Sequence, residues 1–154
     1  MAPPVWGRGP LKQKLIKNNW IMSNKGSPSR KYTPKEPLLP PVYQKARLMV
    51  KQIIASTKKA TREIKYDYIA ETVNQGMKLM EIVTVAHLMK DRVEKKKLIE
   101  KALLEMNHIR IKIRIIHDIG CLSNKGFAAI IDYESDILYQ LIAWKKDNDN
   151  KIDN

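Results

Sequence analysis

The chain is 154 residues long, with 29 Lys or Arg against 16 Asp or Glu, a formal net charge of +13. The length bounds it to one domain plus a tail, and 44% apolar content is enough for a packed core. No run of 18 apolar residues exists for a transmembrane helix, and a single cysteine, Cys121, excludes an internal disulfide or a cysteine-built zinc site.

Residues 1–40 carry eight basic residues and one acid (Glu36), with seven of the eight prolines. They show little apolar periodicity and are expected to form a disordered basic tail. Met22 opens a segment that would make an ordinary N-terminus by itself. The stretch before it, with Trp6 and Trp20, is either a true extension or translated upstream sequence, and the second is the reading favoured here. One cysteine and no long apolar leader point to the cytoplasm.

Residues 41–146 hold the fold, expected to be all-α: an antiparallel up-down four-helix bundle. The first helix follows Pro37, Pro40 and Pro41, with Pro41 suited to a first helical turn. Val42, Ala46, Met49, Val50, Ile53 and Thr57 recur at three and four residues, one helical face. A second helix is expected from about Ile64 to Met89, with the stripe Ile69, Val73, Gly76, Met80, Val83 and His87. Gly76 on that stripe implies close approach of a neighbouring helix, because glycine otherwise costs about 1 kcal/mol in helix propensity.

The third helix is expected to start at Asp91 as N-cap, with Glu94 as capping-box partner, and to stop at Gly120. Within it, Ile109-Arg-Ile-Lys-Ile-Arg-Ile115 alternates apolar and basic, the pattern of a half-buried strand. Continuity argues for helix instead. Ile99, Ala102, Leu103, Met106, Ile109, Ile113 and Ile116 make one unbroken helical stripe, with no Gly or Pro before Gly120. The fourth helix is expected from Ser123 as N-cap to about Lys146, with Lys145 and Lys146 in its last turn. Residues 147–154, DNDNKIDN, are expected to be a disordered acidic end.

A helical third element carries a second apolar stripe. At 100° per residue, Leu104, His108, Ile111 and Ile115 lie nearly opposite the first stripe, so both faces need cover. A monomeric bundle covers one. The outer stripe is therefore a candidate oligomer or partner interface. Arg110, Arg114 and Lys96 share one flank between the stripes, Lys101 and Lys112 the other.

The first helix offers a different surface. Residues 41–62 contain Lys45, Arg47, Lys51, Lys58, Lys59 and Arg62 and no acid. Arg47, Lys51 and Lys58 align away from the core. An unmixed basic face attracts phosphates, with affinity that falls as salt rises.

Signatures of catalysis are missing. There is no GxxxxGK[ST] and no GxGxxG. His87, His108 and His117 make no i,i+4 metal pair, and Glu105-Met-Asn-His108 is a single Glu-x-x-His where di-iron bundles need two. No metal or cofactor is expected, and His87 reads as a satisfied histidine near a helix end. Glu134 falls among Phe127, Ile130, Ile131, Leu138 and Leu141, where a lone carboxylate needs a partner. Arg110 is the candidate, in a structural rather than catalytic pair.

Three segments carry a family resemblance: Pro-Pro-Val-Tyr-Gln-Lys-Ala (40–46), Asn-His-Ile-Arg-Ile-Lys-Ile-Arg-Ile-Ile-His-Asp-Ile-Gly-Cys-Leu-Ser (107–123) and Trp144-Lys-Lys. Over about residues 38–146 the chain resembles the accessory variability protein (Avd) family of diversity-generating retroelements. That superfamily includes bundle proteins encoded in ribosomal RNA intervening sequences, of unknown role, the alternative reading. The resemblance implies a non-enzymatic, homopentameric bundle with a basic surface. Such a protein would bind the reverse transcriptase together with RNA or DNA and support mutagenic retrohoming. Arg110 and Arg114 match the family's arginine pair, which the resemblance assigns to reverse-transcriptase or nucleic-acid contact.

Overall fold

The computed structural model describes residues 39–153 and is all-helical within them. Helix α1 is Pro41–Ser56. Helix α2 begins as Arg62–Ile64, passes through a π-helical turn at Lys65–Ile69 and continues as Ala70–Leu88. Helix α3 is Arg92–Asp118 and α4 is Asn124–Asp153. The expected basic tail lies outside the described residues apart from Leu39 and Pro40. No helix among the described residues is long and apolar enough to cross a membrane.

The helix ends follow from capping chemistry. α1 starts with Pro41 in its first turn, and the Thr57 hydroxyl closes its other end by donating to the Ile53 carbonyl at 2.6 Å. The Asp91 carboxylate accepts from the amides of Val93 (2.9 Å) and Glu94 (3.2 Å) at the start of α3. Glu94 does not complete a reciprocal box; its carboxylate pairs with Lys97 at 3.1 Å. At the C-terminus, Gly120 takes φ +81°, where a side chain would be strained. Its amide donates to the His117 carbonyl (3.0 Å) and that of Cys121 to the Ile116 carbonyl (3.1 Å), a Schellman closure. Ser123 Oγ then caps α4 by accepting from the Gly126 amide at 3.0 Å. The His117 ring stacks on Phe127 with centroids 3.9 Å apart, clamping the α3–α4 turn.

The four helices surround one core. α1 packs on α2 and α4, and α3 packs on the same two helices. Core side chains include Ala46, Met49 and Ile53 of α1, Leu79 and Val83 of α2, Met106, Ile109 and Ile113 of α3, and Ile130, Ile137 and Leu141 of α4. The Ile109–Ile115 segment is helical throughout. Ile109 and Ile113 are buried while Ile111 and Ile115 are exposed, so the two-residue alternation is an accident of two helical stripes. Gly76 marks a close helix contact. A Cβ there would lie 2.5 Å from Val50 Cγ2.

Two sequence expectations are corrected. α4 does not end near Lys146 in a frayed acidic end but runs to Asp153. Asn148 is buried and donates to the Arg92 carbonyl at 2.9 Å, while Asp149 meets Lys96 at 3.5 Å. Lys145 is accordingly mid-helix and pairs with Glu100. On α2, His87 is exposed, and the buried line is Ile69, Thr72, Gly76, Leu79, Val83 and Ala86. Val73 and Met80, expected at the core centre, are half-buried beside α1. The apolar sector of α2 is wider than the core and spills onto the α1 side.

Candidate functional site

The basic face of α1 is built by periodicity and left open by its neighbours. Arg47 and Lys51 stand one turn apart on α1, whereas Lys58, expected on the same helical face, lies in the turn just past Ser56; all three are exposed. No carboxylate lies within 4 Å of any of them among the described residues, whereas Lys45 on the same helix pairs with Asp136 of α4 at 3.1 Å. Arg47, Lys51 and Lys58 therefore present unpaired positive charge.

The same face borders a groove. A hollow of about 600 Å³ lies along the α1–α2 seam, with Val50, Ile54, Met77, Met80 and Val85 among its lining and Arg47 and Lys51 at its edge. A second hollow of about 360 Å³ shares Ile54 and extends past Lys58, Lys65 and Val73. Sequence reading missed this groove. The signal for it was present in α2, whose apolar residues occupy more of the helix circumference than a core needs.

The outer stripe of α3 is exposed as expected. Leu104, Ile111 and Ile115 are 55%, 59% and 48% exposed, and His108 between them is exposed too. A large apolar side chain about half in water is ordinary once, but three on one stripe form a patch.

The flanks of α3 are committed to its neighbours. Arg114 Nη1 donates to Glu134 Oε2 at 3.3 Å and to the Arg110 carbonyl at 2.8 Å. Arg110 Nε stands 3.7 Å from the same carboxylate oxygen. The two arginine side chains are 40% and 41% exposed, while that of Glu134 is 2% exposed. Glu134 is thus buried as expected, but its nearer partner is Arg114 rather than Arg110. Burial pushes the Glu134 carboxyl above the usual range; the charge and hydrogen bond of Arg114, then the charge of Arg110, pull against this without cancelling it. On the other flank Lys112 reaches Glu71 of α2 at 2.6 Å. Glu105, also buried, meets Lys78 of α2 at 3.4 Å, an interhelical pair. No cluster of three metal-ligating side chains occurs among the described residues.

Structure therefore divides the expected binding residues. Arg47 and Lys51 lie on α1 and Lys58 just past its end, all exposed and without an ion pair among the described residues. Arg110 and Arg114 lie on a different seam and share their charge with Glu134. Leu104, His108, Ile111 and Ile115 form a third surface. Among known proteins, no family model and no curated sequence matches this chain.

Proposed function

We propose that the protein is a non-enzymatic accessory factor of a diversity-generating retroelement. In this reading it is an antiparallel up-down four-helix bundle that self-associates, as a pentamer, and binds the reverse transcriptase and nucleic acid, template RNA or cDNA, in support of mutagenic retrohoming. The observation that carries the proposal is the face of Arg47, Lys51 and Lys58, exposed and without an acid within 4 Å among the described residues. Surface cations on ordinary helices are interleaved with acids at i,i+4; these are not. The exposed α3 stripe supports self-association, and the family resemblance connects both surfaces to one biological role.

Arg110 and Arg114 keep a part in this reading. Each arginine side chain is less than half exposed, and one carboxylate serves the two, so the seam retains a positive balance. They act as a secondary contact, weaker per residue than the α1 face.

The test is binding of single-stranded RNA by the triple variant Arg47→Glu, Lys51→Glu, Lys58→Glu. Loss of three phosphate contacts should flatten the slope of log affinity against log salt by about 2. Unchanged affinity and slope would reject the α1 face. Co-purification with the reverse transcriptase encoded beside the gene tests the partner; a ribosomal RNA gene around it would favour the intervening-sequence alternative.

A further inference from the structure

We infer that the α1–α2 seam is a docking groove for an acidic amphipathic helix of a partner protein. The inference deepens the partner-binding half of the proposed function and rests on it, but it does not depend on nucleic-acid binding.

Apolar side chains form the floor. Ile54, Met77 and Val85 are each 48% exposed, and Val50 and Met80 lie between them. Two methionines give such a floor the adaptability that helix-binding grooves use. Length also suits a helix. Tyr43 and Ile54, both lining the groove, stand eleven residues apart on α1, about 16 Å, or three turns of a docked helix.

Charge selects the occupant. Arg47, Lys51, Lys58 and Lys65 line the two hollows, against Glu81 as the acid among the lining residues. None of the four cations has a carboxylate within 4 Å among the described residues. Residues 1–40 of this chain carry eight basic residues and one acid and would be repelled. A second copy carries the same net charge of +13 and would be repelled as a whole. The acidic stretch of α4 already spends Asp149 on Lys96 and Asp147 on Lys151. Nucleic acid would satisfy the cations but leave Ile54, Met77 and Val85 in water, with Tyr43 as the sole aromatic lining the groove. A helix with acids on its edges and leucines or methionines on its face satisfies both.

The experiment uses the full chain and three fluorescein-labelled 16-residue peptides. One carries Leu at helical spacing with Glu elsewhere, one is its scramble, and one has Lys for Glu. Fluorescence anisotropy should show saturable binding of the first, at least about tenfold tighter than the other two. Ile54→Asp, at an exposed position, should weaken it by about tenfold or more. Met77→Asp serves as the second variant, with circular dichroism confirming that each folds. Equal binding of the scramble, or indifference to both substitutions, would overturn the inference. A smaller assembly on sedimentation of Ile54→Asp would also overturn it, because the groove would then be an interface between copies. Loss of RNA binding by the α1 triple variant, or its absence in the parent, bears on the nucleic-acid reading alone.

Discussion

Arg114 and Glu134 meet across the α3–α4 seam at 3.3 Å, the arginine two-fifths exposed and the glutamate enclosed. The pair is asymmetric. Arg114 can hydrate its outer edge, but Glu134 Oε1 has no partner among the described residues. A buried carboxylate with one satisfied oxygen holds its proton more tightly than the unfolded chain does, the direction already noted for Glu134.

That direction fixes the sign of a pH effect. The folded-state pKa lies above the unfolded value, about 4.3 for glutamate. The contribution of Glu134 to stability is therefore fully present below that value and declines as the pH rises through the folded pKa. Glu134→Gln removes this dependence. Denaturant melts of both proteins from acid to neutral pH should give a difference, parent minus variant, that falls as the pH rises. A constant or rising difference would contradict the account. Glu134→Ala should be less stable than Glu134→Gln by about 2 kcal/mol, since it adds a cavity and leaves Arg114 without its acceptor.

At the α1–α2 crossing, Gly76 and Val50 set the spacing. Gly76→Ala gains helix propensity, about 1 kcal/mol, but puts a methyl 2.5 Å from Val50 Cγ2. Overpacking of this kind costs about 1–3 kcal/mol, so the net effect should be destabilising. Val50→Ala in the same chain should recover the loss, and a double-mutant cycle by thermal denaturation measures the coupling. Additive effects would show that the helices separate freely at this point.

The end of α4 depends on one side chain. Asn148 Nδ2 holds the Arg92 carbonyl in the first turn of α3. Asn148→Ala should cost about 1–2 kcal/mol and fray residues 147–153, seen as faster amide exchange there. Exchange equal to the parent's would mean that Asp149–Lys96 alone fastens the helix.

These elements show what the sequence could and could not reveal. Asp91, Gly120 and Ser123 marked helix ends because capping is local chemistry, set within three or four residues. The α3 stripes were equally local and correctly separated Ile109 and Ile113 from Ile111 and Ile115. Asn148 was misread because its partner is 56 residues away, and three aspartates in seven residues look like a solvated end. The phase of α2 slipped at Val73, Met80 and His87, because periodicity gives a sector but not which edge of it faces the core. Arg110 was matched to Glu134 but Arg114, its nearer partner, was read as free charge, since nothing local placed both on one carboxylate.

The outer stripe of α3 carries the last prediction. Ile111 is the most exposed of its three large apolar residues, and it sits on the side away from the core. Ile111→Glu therefore removes no buried contact within one chain and should leave the stability of a monomer within about 0.5 kcal/mol of the parent's. If the stripe joins copies, the same substitution places a carboxylate in an apolar contact repeated at every interface of a symmetric assembly. Light scattering at micromolar concentration should then show an oligomer for the parent and a smaller species for Ile111→Glu, with Leu104→Glu behaving alike. Lys101→Glu, on the flank of the stripe, should leave the assembly intact. A monomeric parent would refute the interface. An oligomer insensitive to both substitutions would place it elsewhere, and the groove between α1 and α2 would be the next surface to examine.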